Sequence, residues 1–234
     1  MTGSISPRTR RRSVPDRTRV AQWMIGCCLF SLGVKLFIDS GLGTDPLHAM
    51  IIGIVTTLDL PFVKVGVVEI GIVCLSLALW CAWNRTFPIV TVVSVFLTMG
   101  SVGFLIDLWT LLRLETVTTL LGNRWILAGS GLLLDSYASA LIIVAGFGIR
   151  SMDLLVITMV QKFEIPFVVP KAAFEAGFVA VGWVLGGPVG LATLLFVLIV
   201  SFLIQLFLGL NTRFLGMTNH GMAPSSTIEE RAPA

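Results

Sequence analysis

The chain has 234 residues, of which 56% are hydrophobic and only 12% are charged, with a net charge of +3. Soluble domains carry roughly a quarter charged residues, so this composition excludes an ordinary soluble protein and indicates an integral membrane protein in a lipid bilayer. Six of the sixteen basic residues lie in the N-terminal tail, between Arg8 and Arg19. Membrane topology therefore explains the basic excess better than a nucleic-acid partner does, and it predicts a cytoplasmic N-terminus.

The chain divides into two polar tails and one membrane domain. Residues 1–19 are rich in Ser, Thr, Pro and Arg and are expected to be disordered, while residues 20–210 form the membrane domain. The apolar run from Val20 has no small-residue cleavage site, so it predicts a retained helix rather than a signal peptide. Residues 211–234 are expected to form a flexible tail, also on the cytoplasmic side.

Six apolar runs are long enough to cross a hydrocarbon core of about 30 Å. They cover roughly 21–39, 62–83, 88–112, 125–145, 167–186 and 188–210. Trp23 and Trp125 stand at the start of the first and fourth runs, where the headgroup region favours amphipathic rings. The sequence therefore predicts six membrane spans.

One stretch of the first half returns about a hundred residues later. Residues 41–63, GLGTDPLHAMIIGIVTTLDLPFV, align without a gap with residues 146–168, GFGIRSMDLLVITMVQKFEIPFV. Both begin with Gly-x-Gly after an apolar run and end in Pro-Phe-Val. The pattern predicts an all-α transmembrane helical bundle built from two repeats, about 21–112 and 125–210, each with three spans and one short broken or re-entrant helix.

The short segments 44–58 and 149–163 decide the topology. As helices of about fifteen residues they would rise about 22 Å, which is less than the thickness of the hydrocarbon core. We interpret them as segments that do not cross, so that each repeat has three spans and the two repeats are inverted. The alternative is that both cross, which gives eight spans and parallel repeats.

Two carboxylates repeat in the second span of each half, Glu69 in VVEIG and Glu175 in AFEAG. An ionisable side chain in a membrane helix is costly and therefore a functional candidate, here as a coupling-ion ligand, a proton carrier or the counter-charge to a cationic substrate. The structural alternative is a pair of ion pairs, Glu69 with Lys64 and Glu175 with Lys171. Only the second pair has the ideal helical spacing of four.

The two Gly-x-Gly motifs carry further polar candidates, Asp45 and His48 in the first and Arg150 and Asp153 in the second. The favoured interpretation of Asp45, like that of Ser151, is a helix N-cap, which Pro46 at a first helical position supports. The functional alternative is that the paired helix N-termini, with the positive ends of their dipoles, hold an anionic group. Arg150 would then either add its positive charge to these dipoles or simply pair with Asp45. His48 would then be a pH-sensitive partner of Asp45 or Asp153.

A third repeated polar position lies near the end of the third spans, where Asp107 in FLIDL corresponds to Gln205 in FLIQL. Both complete the set of candidate substrate- or ion-binding residues. Asp135 belongs to a polar stripe with Ser136, Tyr137 and Ser139 that has no counterpart in the first half. Such stripes commonly form hydrogen bonds between helices.

Other patterns indicate packing rather than chemistry. The glycine run 177, 182, 186 and 190 allows close helix contact, either inside the fold or in a homodimer. The four cysteines lie in apolar runs without metal-ligand spacing and are interpreted as small buried hydrophobes. No catalytic motif is present, so we expect neither an enzyme nor a cofactor or metal site.

The motifs GLGTDPLHAM and GFGIRSMDLL, the FLIDL and FLIQL ends and the duplicated three-span layout resemble the YczE/YyaS/YitT-type bacterial membrane proteins. The resemblance covers about residues 21–210. It implies a small bacterial inner-membrane protein with a transporter-like architecture, and it leaves the substrate open.

Three functional hypotheses follow. The leading one is a small secondary transporter or exporter, coupled to protons or another ion through Glu69 and Glu175, with the Gly-x-Gly elements around a central site. The second is a membrane scaffold or accessory protein for a biosynthetic or regulatory partner. A membrane enzyme acting on lipid comes third, because no nucleophile or metal set is found.

Overall fold

The computed structural model describes residues 16–59, 65–114 and 123–222, and within them the chain forms eight α-helices. In chain order they are α1 (Arg17–Ser40), α2 (Pro46–Leu58), α3 (Val65–Asn84), α4 (Ile89–Leu111), α5 (Arg124–Ala145), α6 (Ser151–Phe163), α7 (Val168–Val184) and α8 (Leu191–Arg213). The all-α prediction is confirmed. The basic tail before residue 16, the Pro61–Lys64 stretch and the tail after residue 222 lie outside the described residues.

Five helices are long and apolar enough to cross a membrane, namely α1, α3, α4, α5 and α8. They match five of the six expected spans, so the protein is a multi-pass membrane protein. The remaining one, expected at 167–186, is the 17-residue helix α7, which is at the short limit for a spanning helix. Helices α2 and α6 have 13 residues each and rise about 20 Å, less than the hydrocarbon core.

Helices α1 and α5 form the centre of the bundle and share the most extensive helix contact. Gly33 on α1 and Gly131 on α5 lie at their crossing, where a Cβ on either glycine would collide with the backbone of the other helix. Small residues of this kind let membrane helices approach closely. Buried residues make up 67% of the most apolar part of α5 but only 17% of that of α3, which lies at the periphery.

The glycine run of the second half packs inside the fold against α2 and the loop before it. A Cβ on Gly182 would meet the backbone of Ala49 and Met50, and one on Gly190 would meet the carbonyl of Leu42. Gly177 has open space instead. Close contact inside the fold is therefore one use of this run, while the homodimer stays a prediction.

Each Gly-x-Gly loop is held by a threonine from a distant helix. The hydroxyl of Thr193 on α8 donates to the carbonyl of Thr44 at 2.6 Å, in the loop before α2. The hydroxyl of Thr98 on α4 donates to the carbonyl of Gly148 at 2.7 Å, in the loop before α6. The indole of Trp23 donates to Thr98 at 2.7 Å. These bonds fix the start of both short helices.

Residues 214–222, expected to belong to a flexible tail, contact the C-terminal end of α5. The backbone N–H of His220 donates to the carbonyl of Val144 at 3.0 Å. The Arg19 guanidinium donates to the carbonyls of Ala145 at 2.7 Å and Gly146 at 3.0 Å. The last carbonyls of a helix have no partner within the helix, and here α1 and the C-terminal segment supply donors.

Candidate functional site

A cavity of about 500 Å³ lies between the helices and is lined by residues of all eight of them and of the loop before α6. Its volume is in the range of small-molecule sites, roughly 300–1,000 Å³. Most lining side chains are apolar, and five of them are phenylalanines: Phe30, Phe37, Phe96, Phe178 and Phe196. The cavity thus offers an aromatic environment for a ligand.

Six of the eight candidate residues from the sequence line this cavity: Asp45, His48, Glu69, Arg150, Asp153 and Glu175. They come from α2, α3, α6, α7 and the residues that precede the two short helices. Asp135 of α5 and Lys171 of α7 line it as well. The cavity therefore concentrates eight ionisable side chains in the interior of a membrane protein, where such groups are rare and usually functional.

Four of these side chains form a buried chain of alternating charge. The Arg150 guanidinium lies 2.7 Å from Oδ2 of Asp153, and Lys171 Nζ lies 3.0 Å from Oδ1 of the same carboxylate. Lys171 Nζ also lies 2.9 Å from Oε1 of Glu175. Asp153, Lys171 and Glu175 are each at most 6% exposed. Pairing and hydrogen bonding offset the cost of burying a charge, and these four side chains have both.

The ion pair between Lys171 and Glu175, which the spacing of four predicts, is thus confirmed, and Asp153 extends it. Arg150 is further held by Ser139, whose hydroxyl accepts a hydrogen bond at 2.9 Å. The guanidinium lies 4.4 Å from the centre of the Phe30 ring, within the distance of a cation–π contact. The expected pair between Glu69 and Lys64 involves a residue outside the described part of the chain.

The first Gly-x-Gly motif carries a smaller pair. Asp45 is the N-cap of α2, and its Oδ1 accepts from the backbone N–H of His48 at 3.1 Å. Its Oδ2 lies 2.7 Å from Nδ1 of the same histidine. The capping interpretation of Asp45 is confirmed, and the structure places His48 in contact with Asp45. Ser151, the other expected cap, is instead the first residue of α6.

The helix N-termini do not favour the anion-binding alternative. The N-terminus of α2 is already capped by the carboxylate of Asp45, and Asp153 lies in the first turn of α6. Carboxylates at these positions occupy the positive end of the helix dipole. Arg150 forms its ion pair with Asp153 rather than with Asp45, so its positive charge is already neutralised by a carboxylate of the protein.

Two carboxylates of the cavity remain outside these pairs, Glu69 and Asp135. Among the described residues neither has an ion pair within 4.0 Å or a side-chain hydrogen bond. Asp135 is only 5% exposed and faces the cavity. The cavity is therefore lined by five carboxyl side chains and three basic ones, and its acidic groups outnumber the basic groups that pair with them.

The repeated polar position at the end of the third spans does not belong to the cavity. Asp107 is exposed on α4, four residues before the helix ends. Gln205 is exposed on α8, and its Oε1 accepts from the backbone N–H of Val168 at 3.2 Å. Gln205 thus ties α8 to the start of α7.

The candidate set from the sequence omits Asp135 and Lys171. Both are ionisable residues inside apolar runs, and that signal alone would have been enough to include them. Asp135 was interpreted as part of a stripe that bonds between helices, and Ser139 of that stripe does bond to Arg150. No sequence signal predicts Ser139 as the partner of a distant arginine.

Comparison with protein families gives a match over residues 17–209 to the family of unknown function DUF6198. The chain belongs to this family. The match covers all eight helices up to the last turn of α8, and therefore every residue that lines the cavity.

Two bacterial relatives agree with this assignment. The chain is 28% identical over 200 residues to the "Uncharacterized protein YyaS" of Bacillus subtilis, which covers 84% of this chain and 96% of the relative. It is 24% identical over 185 residues to an "Uncharacterized protein" of Haemophilus influenzae, which covers 79% of this chain and 81% of that one. The resemblance to YyaS-type proteins is confirmed. No solved structure matches the chain.

Proposed function

We propose that this protein is a small secondary transporter or exporter whose central cavity holds the substrate, coupled to protons or another ion through Glu69 and Glu175. The observation that carries the proposal is the cavity itself, with eight ionisable side chains enclosed by apolar helices. Charges at such a depth mark substrate and ion pathways in membrane proteins. A protein that only anchors a partner has no need of a charged chamber in its interior.

The helix contacts support a two-repeat mechanism. Helix α2 packs against α7 as α6 packs against α3, and α1 packs against α4 as α5 packs against α8. If helices α1 to α4 are matched in order with α5 to α8, the α2–α7 contact corresponds to the α6–α3 contact, and the α1–α4 contact corresponds to the α5–α8 contact. Transporters built from inverted repeats alternate their access by moving one part against the other around a fixed site.

In this mechanism the two halves are inverted, the short helices α2 and α6 do not cross, and both termini are cytoplasmic. Reporter fusions at residues 2 and 230 test the topology. Cytoplasmic signals from both are expected, and a periplasmic signal from either would overturn the six-span arrangement.

Transport is tested by uptake and efflux in proteoliposomes over a panel of metabolites and drug-like solutes, with and without a pH gradient. We expect flux of at least one solute, accelerated by the gradient. Glu69→Gln should fold normally and lose the acceleration, because glutamine mimics a permanently protonated carboxyl. Glu175→Gln should also lose stability, because it removes one end of a buried ion chain.

Asp107→Asn is the matched control, because it neutralises an exposed carboxylate outside the cavity and should transport as the wild type does. Absence of flux for every solute, from a protein that is folded by gel filtration and unfolding assays, would favour a non-transporting scaffold instead.

A further inference from the structure

The charges that line the cavity differ in how they are compensated. Arg150 and Lys171 are both bonded to carboxylates of the chain itself, and Asp45 is paired with His48. Neither cation is available to neutralise an incoming anion without breaking a buried pair. Among the described residues Asp135 and Glu69 have no ion-pair partner, and Asp135 is a largely buried carboxylate that faces the cavity.

We propose that the cavity binds an organic cation with an apolar, aromatic body, and that Asp135 and Glu69 supply the counter-charge. This inference rests on the proposed function of the same cavity and names its substrate class. Asp135 lies on the central helix α5 and Glu69 on the peripheral helix α3. A cation between them would contact both the core and the outer part of the bundle.

The lining favours an organic cation over a metal ion. Metal sites gather several oxygen, nitrogen or sulfur ligands around one point, and no such group of three is present among the described residues. The five phenylalanine rings offer apolar surface and negative ring faces, which attract cations with a delocalised charge. The protein's own Arg150 already uses one of these faces, above Phe30.

The first test compares two ions of the same size and shape and of opposite charge, tetraphenylphosphonium and tetraphenylborate. Binding of each to the full-length protein in detergent is measured by isothermal titration calorimetry, with empty micelles subtracted. Saturable binding of tetraphenylphosphonium and none of tetraphenylborate is expected. Equal affinity for the two ions, or no binding of the cation, would overturn the inference.

Site-directed variants then locate the counter-charges. Asp135→Asn and Glu69→Gln should each weaken tetraphenylphosphonium binding about 10- to 100-fold, because each removes one Coulomb attraction to a cation that has no hydrogen-bond donor. Asp135→Glu keeps the charge and should retain most of the affinity, and Asp107→Asn should bind as the wild type does. If Asp135→Asn does not fold, Glu69→Gln and Asp135→Glu carry the test. Wild-type affinity in both neutral variants would refute the assignment.

The binding proposal and the transport proposal are tested separately in this design, because calorimetry in detergent requires no flux. Tetraphenylphosphonium binding without flux of any solute would overturn the transport proposal and keep the cation site. Flux of neutral or anionic solutes, together with absence of tetraphenylphosphonium binding, would keep transport and overturn the cation site.

Discussion

The two short helices, α2 and α6, have the same length and comparable ends but hold their charged residues differently. Each has 13 residues and follows a Gly-x-Gly loop fixed by a distant threonine. Each is followed by an acidic C-cap residue in the left-handed conformation, Asp59 after α2 and Glu164 after α6. At the start of α2 the Asp45 and His48 side chains are 22% and 33% exposed. At the start of α6 the Asp153 side chain is 2% exposed.

The difference in burial explains the difference in chemistry. A partly exposed carboxylate needs one partner, and Asp45 has one in His48. Asp153 has almost no access to solvent, and both Arg150 and Lys171 are bonded to it, which offsets the cost of burying its charge. The same backbone frame therefore supports a partly exposed pair at α2 and a buried ion chain at α6. The loop before α6 is also covered by His220 at Gly146, whereas Gly41 before α2 faces open space.

The largest expected effect comes from breaking the ion chain at α6. Lys171→Met leaves two buried carboxylates without their shared cation and should lower the free energy of unfolding by about 3–5 kcal/mol. The measurement is titration with SDS in mixed micelles. Lys162→Met on α6, the helix that carries Asp153, is the control. Lys162 is exposed and its ammonium contacts Trp83, so a loss of less than about 1 kcal/mol is expected.

A double variant sharpens this test. Glu175→Gln added to Lys171→Met removes one of the stranded charges and should recover part of the lost stability, since residues in direct contact are energetically coupled. Strictly additive losses would show that Lys171 and Glu175 do not stabilise each other.

The second effect concerns the glycines of the two loops. Gly148→Ala forces alanine to adopt φ +64 and places its Cβ against Trp23 and Thr98, which should cost about 2–4 kcal/mol. Gly41→Ala forces a similar φ of +63 into open space and should cost only about 1 kcal/mol. The difference in melting temperature between the two variants reports the contact alone. Equal losses would contradict the close packing at Gly148.

The third effect is at the N-terminus of α2. Asp45→Ala removes both the cap and the partner of His48 and should cost about 1–2 kcal/mol. Asp45→Asn keeps a capping oxygen and should recover most of that loss, because asparagine is an equally good N-cap. Thermal unfolding of the two variants separates the contribution of the cap from that of the charge. Identical losses in both would assign the whole effect to the charge.

The smallest effect is a pH dependence of the stability, caused by His220, which packs against Gly146 in the loop before α6. Burial, and after it the positive charge of Arg19, lowers the pKa of His220 below its usual 6.5. The unfolded chain then binds a proton more readily than the folded one, so this residue destabilises the fold as the pH falls below about 6.5 and has no effect above it. His220→Gln should flatten the stability profile on the acid side. An unchanged profile would show that His220 does not titrate in contact with the fold.

Capping and spacing rules predicted those contacts of the site that join residues close to each other in the sequence. The cap at Asp45 and the Lys171–Glu175 pair lie within one helical turn, and spacing alone indicates them. The convergence of Glu69, Glu175 and the two Gly-x-Gly motifs on one site was predicted from their repetition. The same argument applied to Asp107 and Gln205 predicted candidates that lie outside the cavity, because repetition of a polar residue does not determine the direction it faces.

The sequence by itself determined that the protein is an all-α membrane protein, where most of its helices begin and end, and which side chains carry charge inside apolar segments. These properties depend on hydropathy, capping and spacing along one segment. Only the tertiary structure decided that Asp153 is shared by Arg150 and Lys171, while Asp135 faces the cavity with no partner among the described residues. The Lys171–Asp153 pair joins α7 to α6, and Asp135 lies where α5 crosses α1 at Gly33, so neither arrangement follows from spacing along one segment.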